Sequence, residues 1–182
     1  MSRNYKFYDS RNPHFITFST VEWIDIFTRR VYYDTVVNSL AFCIENKGLT
    51  LHSWCIMTNH VHLIASSETN KLSHILRDLK KFTSVQLLEI IIDNPKESRR
   101  NWLKWILKSN GQHNSHNHHY QLWQQHNHPI LLEKNEHIDK ALDYIHQNPV
   151  KAGFVDEAED WVYSSAKEYA GLRNLLPLVL IE

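Results

Sequence analysis

Two imidazoles stand two positions apart, His60 and His62, in the run Met57-Thr58-Asn59-His60-Val61-His62-Leu63-Ile64-Ala65. The run reads as a buried strand, where alternate side chains share a face, so both rings project to one side while Val61 and Leu63 project to the other. Neutral imidazoles are good ligands for divalent ions, and two of them are half a metal site. A second segment, Asp143-Tyr144-Ile145-His146-Gln147-Asn148-Pro149, spaces a tyrosine and an amide four residues apart on a predicted helix, which puts Tyr144 and Asn148 on one face. The amide oxygen of Asn148 is a hard donor and a candidate third ligand, acceptable to Mg²⁺ or Mn²⁺ where an all-histidine set would favour zinc. Tyr144, one turn away, is then the candidate nucleophile. Attack of its phenol on a DNA phosphate would give a phosphotyrosine and free a 3′-hydroxyl, conserving the bond energy for rejoining. Each half also has an ordinary explanation, since a chain with 13 histidines makes His-x-His pairs by chance and a tyrosine near a helix end is commonly a packed aromatic. It is their joint occurrence that points to catalysis.

The elements that must position these groups follow from periodicity. His14 to Val21 alternates as a strand behind Pro13, and a helix capped by Thr28 runs to about Asn46, closed by Lys47-Gly48. Leu49 to Met57 and Asn59 to Ser66 are strands joined by a very short connection, which favours antiparallel neighbours. Leu72 to Ile92 has the helical period and ends at Asp93-Asn94-Pro95, and Glu97 to Leu107 reads as a further helix. Ser109 to His119 is a polar, His-rich stretch without apolar period, read as an inserted loop over 109–119, most simply a spacer. Tyr120 to Trp123 and Pro129 to Leu132 are short strand candidates, with His126-Asn127-His128 a turn between them. A helix from Asn135 to Asn148 is expected to stop at Pro149, after which Trp161, Tyr163 and Tyr169 anchor the chain end. The order matches the split βαβ pattern: one α+β domain over 1–182, with a ferredoxin-like antiparallel sheet and helices packed on it.

Composition narrows the function classes. Lys plus Arg balance Asp plus Glu at 20 each, so the chain does not coat nucleic acid by bulk charge. Local clusters remain, at Arg77, Lys80 and Lys81 and at Lys96, Arg99, Arg100, Lys104 and Lys108; they suit phosphates, and solvated helix faces would look the same. Trp123 and Gln124 could line a groove for unpaired bases, or Trp123 could be core, and Lys151 could meet phosphate or simply balance a helix dipole. Cys43 and Cys55 both lie in apolar runs, so a disulfide framework is not expected, and with no signal core or membrane-length apolar run the expected location is the cytoplasm.

At these residues the sequence resembles the REP-associated tyrosine transposases, the single-tyrosine branch of the HUH endonucleases. Besides Met57 to Ile64, the matching blocks are Leu76-Arg77-Asp78-Leu79-Lys80-Lys81-Phe82-Thr83-Ser84, Leu122-Trp123-Gln124, Asp143 to Gly153, and Asp160 to Ser165 with Tyr169. The resemblance implies a ferredoxin-like fold, His60 and His62 as metal ligands with Asn148 as a further one, Tyr144 as nucleophile, and Mg²⁺ or Mn²⁺ as the ion. It also implies transposition chemistry: single-stranded DNA beside a hairpin, cleaved and rejoined through a 5′-phosphotyrosine. Two departures are the His-rich stretch and Asn148 itself, where many relatives in the wider superfamily carry glutamine. Competing readings are a hairpin-DNA-binding module that no longer cuts, and a histidine-triad nucleotide hydrolase, which would need a third histidine where Ile64 stands. A homodimer paired across a free sheet edge is a further possibility.

Overall fold

A computed structural model describes residues 9–69, 71–113, 119–125, 127 and 129–181. Four strands, β1 (His14–Ser19), β2 (Thr50–Ile56), β3 (His60–Ser66) and β4 (Ile130–Leu131), form one antiparallel sheet in the order β2-β3-β1-β4. With α1 (Arg30–Lys47) and α2 (Leu72–Asp93) as the two crossovers this is the expected ferredoxin-like arrangement. β2 and β3 meet through a tight turn in which the Met57 amide donates to the His60 carbonyl at 2.8 Å.

Strand alternation divides the core in two. Ile16, Phe18, Trp54, Ile56, Val61, Leu63 and Ala65 join buried residues of α1 and α2 in the larger cluster. Cys55 and Ile64 point to the opposite face and pack against Ile138 and Ile145 of α4 (Asn135–Lys151). The sheet is thus a middle layer, and the face carrying His60 and His62 is the one that α4 covers. Ile145 is fully buried, and truncating it to alanine would cost roughly 2–5 kcal/mol.

α1 ends as its sequence asks: Gly48 takes φ 70°, its N–H donates to the Cys43 carbonyl, and a Cβ there would collide with the Thr69 hydroxyl. Its start differs from expectation. Arg29 occupies the N-cap without a side-chain bond, because the Thr28 hydroxyl instead accepts from Arg99 at 2.8 Å.

Other boundaries also moved. β1 stops at Ser19, since Val21–Trp23 turns as a short 3₁₀ segment. α3 spans Arg100–Gln112, so Ser109 to Gln112 of the expected loop are helical, and Glu97 is a buried carboxylate before the helix rather than its first residue. Residues 114–118 of the His-rich stretch, and His126 and His128 of the expected turn, lie outside the described residues. Tyr120 to Trp123 makes a single bridge to Thr20 in place of a strand, because Trp123 is drawn into the core, edge-on to Phe18 and donating to the Thr83 hydroxyl at 2.9 Å.

Pro149 does not stop α4, which continues to Lys151; a proline this near the end forfeits only its own amide bond, while the amides of Ala152 and Phe154 still return to the Asn148 and Pro149 carbonyls. The outer edge of β2 is covered by the chain end, through amide bonds from Ser165 to Trp54, Ile56 to Tyr163 and Val179 to Leu51. α5 (Ala166–Tyr169) follows this edge segment. Among the described residues no helix is long and apolar enough to cross a membrane.

Candidate functional site

β3 delivers His60 and His62 side by side, with ring centroids 4.6 Å apart. Each ring has a hydrogen-bond partner at Nδ1, and for His60 that partner fixes the proton. Nδ1 of His60 lies 2.7 Å from Oδ1 of Asn59, whose own Nδ2 donates to the Trp23 carbonyl and the Asp25 carboxylate. Those two acceptors orient the amide, so Oδ1 can only accept and the proton of His60 sits on Nδ1. On His62, Nδ1 lies 2.7 Å from the Thr17 hydroxyl, the residue opposite it in the β1 register, and Nε2 faces the Asn148 amide nitrogen at 3.3 Å.

His62 therefore turns its Nε2 to the Asn148 amide, and His60, protonated on Nδ1, keeps a lone pair on Nε2. Burial favours the neutral form of both: it lowers the pKa of His60 and, aided by the repulsion two adjacent imidazolium charges would suffer, brings His62 down to about 3. Tautomers locked by outer hydrogen bonds are the usual support for metal-ligating histidines. Two imidazoles and an amide that can present its oxygen by rotating fit a divalent cation. Among the described residues no cluster of three or more His, Cys, Asp or Glu side chains is placed to hold one, so the amide is what extends the donor set.

Tyr144 stands on α4 one turn before Asn148, on the side of the helix next to the buried stripe of Ile138, Ile145 and Pro149. Its ring meets His62 edge-on at 5.2 Å and Phe15 at 5.8 Å, while Phe15 stacks on His62 at 5.5 Å. It keeps 46% of its surface exposed, beside a shallow cavity of about 340 Å³ bordered by Phe15, Ile130, His137 and Lys140. The phenol is thus held against His62 and Phe15 on one flank and open to a ligand on the other. A larger cavity of about 550 Å³ lies between α1 and α2, on the far side of the sheet from these groups.

α4 is pinned by a buried polar triangle. The Ser165 hydroxyl lies 2.9 Å from both Ser53 Oγ and His146 Nε2, and it also bonds the amide and carbonyl of Trp54. His146 sits between Tyr144 and Asn148 in sequence, so the clamp acts at their own turn. Burial lowers the pKa of His146 to about 4.

Several of these groups escape a reading of the sequence. Thr17, Phe15 and Asn59 matter through register and side-chain geometry, although strand alternation does put Phe15 and Thr17 on the face away from Ile16 and Phe18. Trp23 packs edge-on to His60 at 5.8 Å, remains 55% exposed, and like Glu22 holds φ at 52°. Consecutive left-handed non-glycine residues are costly for any chain, and here they border the imidazole pair.

The basic cluster on α2 is largely committed to structure. Lys80 donates to the Gln124 carbonyl and Asn127 Oδ1, and Arg77 pairs with Asp78. Ile64 is fully buried among apolar groups, so no third imidazole completes a histidine triad.

Comparison with known proteins bears on the family and the fold. A putative REP-associated tyrosine transposase of Haemophilus influenzae is 31% identical over 114 residues, which is 61% of this chain and 55% of that protein. The chain thus matches about half the length of this curated relative. A solved structure described as the REP-associated tyrosine transposase bound to a REP hairpin superposes with a TM-score of 0.66 at 16% identity, covering 100% of this chain and 94% of the other, which shows the shared fold. Residues 10–105 match the family model described as IS200-like transposase, and since that span holds three of the four strands, both crossover helices and the imidazole pair, the chain belongs to the IS200-like transposase family.

Proposed function

We propose that this protein is a DNA strand transferase that binds single-stranded DNA beside a hairpin, cuts it and rejoins it. His60, His62 and Asn148 would hold a Mg²⁺ or Mn²⁺ ion, and Tyr144 is the nucleophile. The observation that carries the reading is the convergence of four side chains from two elements: two neutral imidazoles from β3, and an amide and a half-exposed phenol from α4. When bound, the ion supplies charge withdrawal from a non-bridging phosphate oxygen.

The chain's own groups do the rest. Phe15 and His62 fix the plane of the phenol, and its exposed flank leaves a path for a phosphate. The phenol oxygen forms a bond to phosphorus as the bond from phosphorus to the 3′-oxygen breaks. The phenol gives up its proton to solvent, the departing 3′-oxygen takes one up, and a 5′-phosphotyrosine results. The reverse attack by a 3′-hydroxyl restores the phosphodiester and the phenol.

All four side chains come from one chain, so the proposed site is complete in a monomer, and a homodimer would be an arrangement of complete sites. We treat 1–182 as one catalytic domain acting in the cytoplasm, consistent with the two buried free thiols, Cys43 and Cys55.

The test is incubation of the full chain with a labelled hairpin oligonucleotide carrying a single-stranded flank, with Mg²⁺ or Mn²⁺. A covalent protein–DNA adduct is expected, lost in Tyr144→Phe while hairpin binding persists. An adduct that survives Tyr144→Phe removes the nucleophile assignment. Binding with no adduct under either ion would leave the protein a hairpin-binding module.

A further inference from the structure

α3 uses one face to pack and leaves the other to solvent. Leu103, Leu107 and Gly111, four residues apart, are its buried positions, and the Tyr120 backbone presses so closely on Gly111 that a Cβ there would meet it at 2.6 Å. The outer face carries Asn101, Trp102, Lys104, Trp105 and Lys108, all exposed. Trp102 is 47% and Trp105 65% accessible, so neither indole serves the core that Leu103 and Leu107 already fill.

Spacing places the two indoles as i, i+3 neighbours, with Lys108 one turn beyond Trp105 and Lys104 beside it. Among the described residues neither Lys104, Lys108 nor the neighbouring Arg100 is in an ion pair. The surrounding sequence is biased as well: in a chain of balanced charge, no Asp or Glu stands between Glu97 and Glu133. Arg99, by contrast, is committed to anchoring. It donates to the Asp25 carbonyl and to Glu97, while the Asp25 carboxylate accepts from Asn59, the residue that holds His60. The start of α3 is therefore tied through Asp25 and Asn59 to the imidazole pair.

We propose that this face of α3 is a platform for the unpaired nucleotides that flank the cleaved phosphate. Bases stack on Trp102 and Trp105, and phosphates lie against Lys104 and Lys108. Charge complementarity selects a polyanion, and the pair of open indole faces selects unpaired bases, because bases within a duplex are already stacked on one another. A helix reading duplex edges would instead present polar side chains. The proposal rests on the DNA-processing reading above and adds where the single strand is held.

The test compares two labelled probes on the full chain, a hairpin alone and the same hairpin with an oligothymidine extension. Wild type should bind the extended probe more tightly. Trp102→Ala/Trp105→Ala should abolish that gain, a loss on the order of 10-fold or more, with affinity for the bare hairpin unchanged, and Trp105→Phe should retain most of it. Lys104→Gln/Lys108→Gln should flatten the salt dependence for the extended probe by roughly 0.7 per lysine in the log–log slope.

An extension that adds nothing to wild-type binding, or a gain that survives in the double tryptophan variant, overturns the platform while leaving the strand-transferase reading intact. Equal weakening of both probes would make this a duplex face and also overturn it. Self-association of wild type that disappears in the tryptophan variant with both affinities unchanged would assign the face to a second copy instead. Failure of wild type to bind either probe would overturn the underlying reading together with the proposal.

Discussion

The Asn148 amide nitrogen lies 3.3 Å from His62 Nε2, across 86 residues of sequence, on the one ring nitrogen that Thr17 leaves open. A helix end and a strand interior are thereby joined at the point where a cation would sit. Asn148→Ala should leave the fold intact and raise the Mn²⁺ concentration needed for half-maximal adduct formation by about 10–100-fold, the range expected for losing a supporting group. A metal titration with an unchanged midpoint would remove Asn148 from the ligand set.

Asn59 makes a separable contribution. Its Oδ1 keeps the His60 proton on Nδ1 and so keeps Nε2 available. Asn59→Ala should weaken Mn²⁺ binding by roughly 10-fold or more, read by calorimetric titration of the DNA-free protein. Equal affinity in the variant would show that the tautomer is set by something else.

Ser165→Ala tests the clamp on α4. The hydroxyl is buried and bonds Ser53, His146 and both backbone groups of Trp54, so its loss orphans polar atoms at a cost of about 1–3 kcal/mol. Melting should fall by roughly 5 °C, and adduct yield at a temperature where the variant is folded should drop more than hairpin affinity. A parallel drop of both would mean that the clamp serves general stability alone.

Glu97 gives the chain an acid-sensitive tie. Burial alone would raise its pKa, but bonds from the Arg29 side chain, the Arg99 amide and side chain and the Tyr32 hydroxyl outweigh it and hold the carboxyl at about 2, below its ordinary 4.5. Because the folded value is the lower one, the stabilisation is complete above about pH 4.5 and is lost as pH falls towards 2. Glu97→Gln should therefore melt lower than wild type at neutral pH, with the gap closing across that window. Melting curves that stay parallel from pH 6 to about 2.5 would refute this.

Much of the scaffold was legible because its signals are local. Alternation marked β1 and β3, the helical period marked α2, and Gly48 marked the end of α1. The pairing of His60 with His62 and of Tyr144 with Asn148 followed from the same periods of 2 and 3.6. What escaped depends on tertiary competition. Thr28 satisfies Arg99 and so does not cap α1, Trp123 leaves the expected strand for the core, and the outer partners Thr17 and Ser165 are fixed by register across the sheet. The meeting of β3 with α4 is itself long-range, and nothing in either segment alone specifies that α4 covers the histidine face.

That division has a temporal side. The imidazole pair leaves the ribosome well before Tyr144 and Asn148, and Ser165, which seats their helix, emerges later still. On the proposed mechanism, cutting competence would be among the last properties the nascent polypeptide acquires, and a copy interrupted ahead of α4 would lack Tyr144 altogether, however complete its sheet.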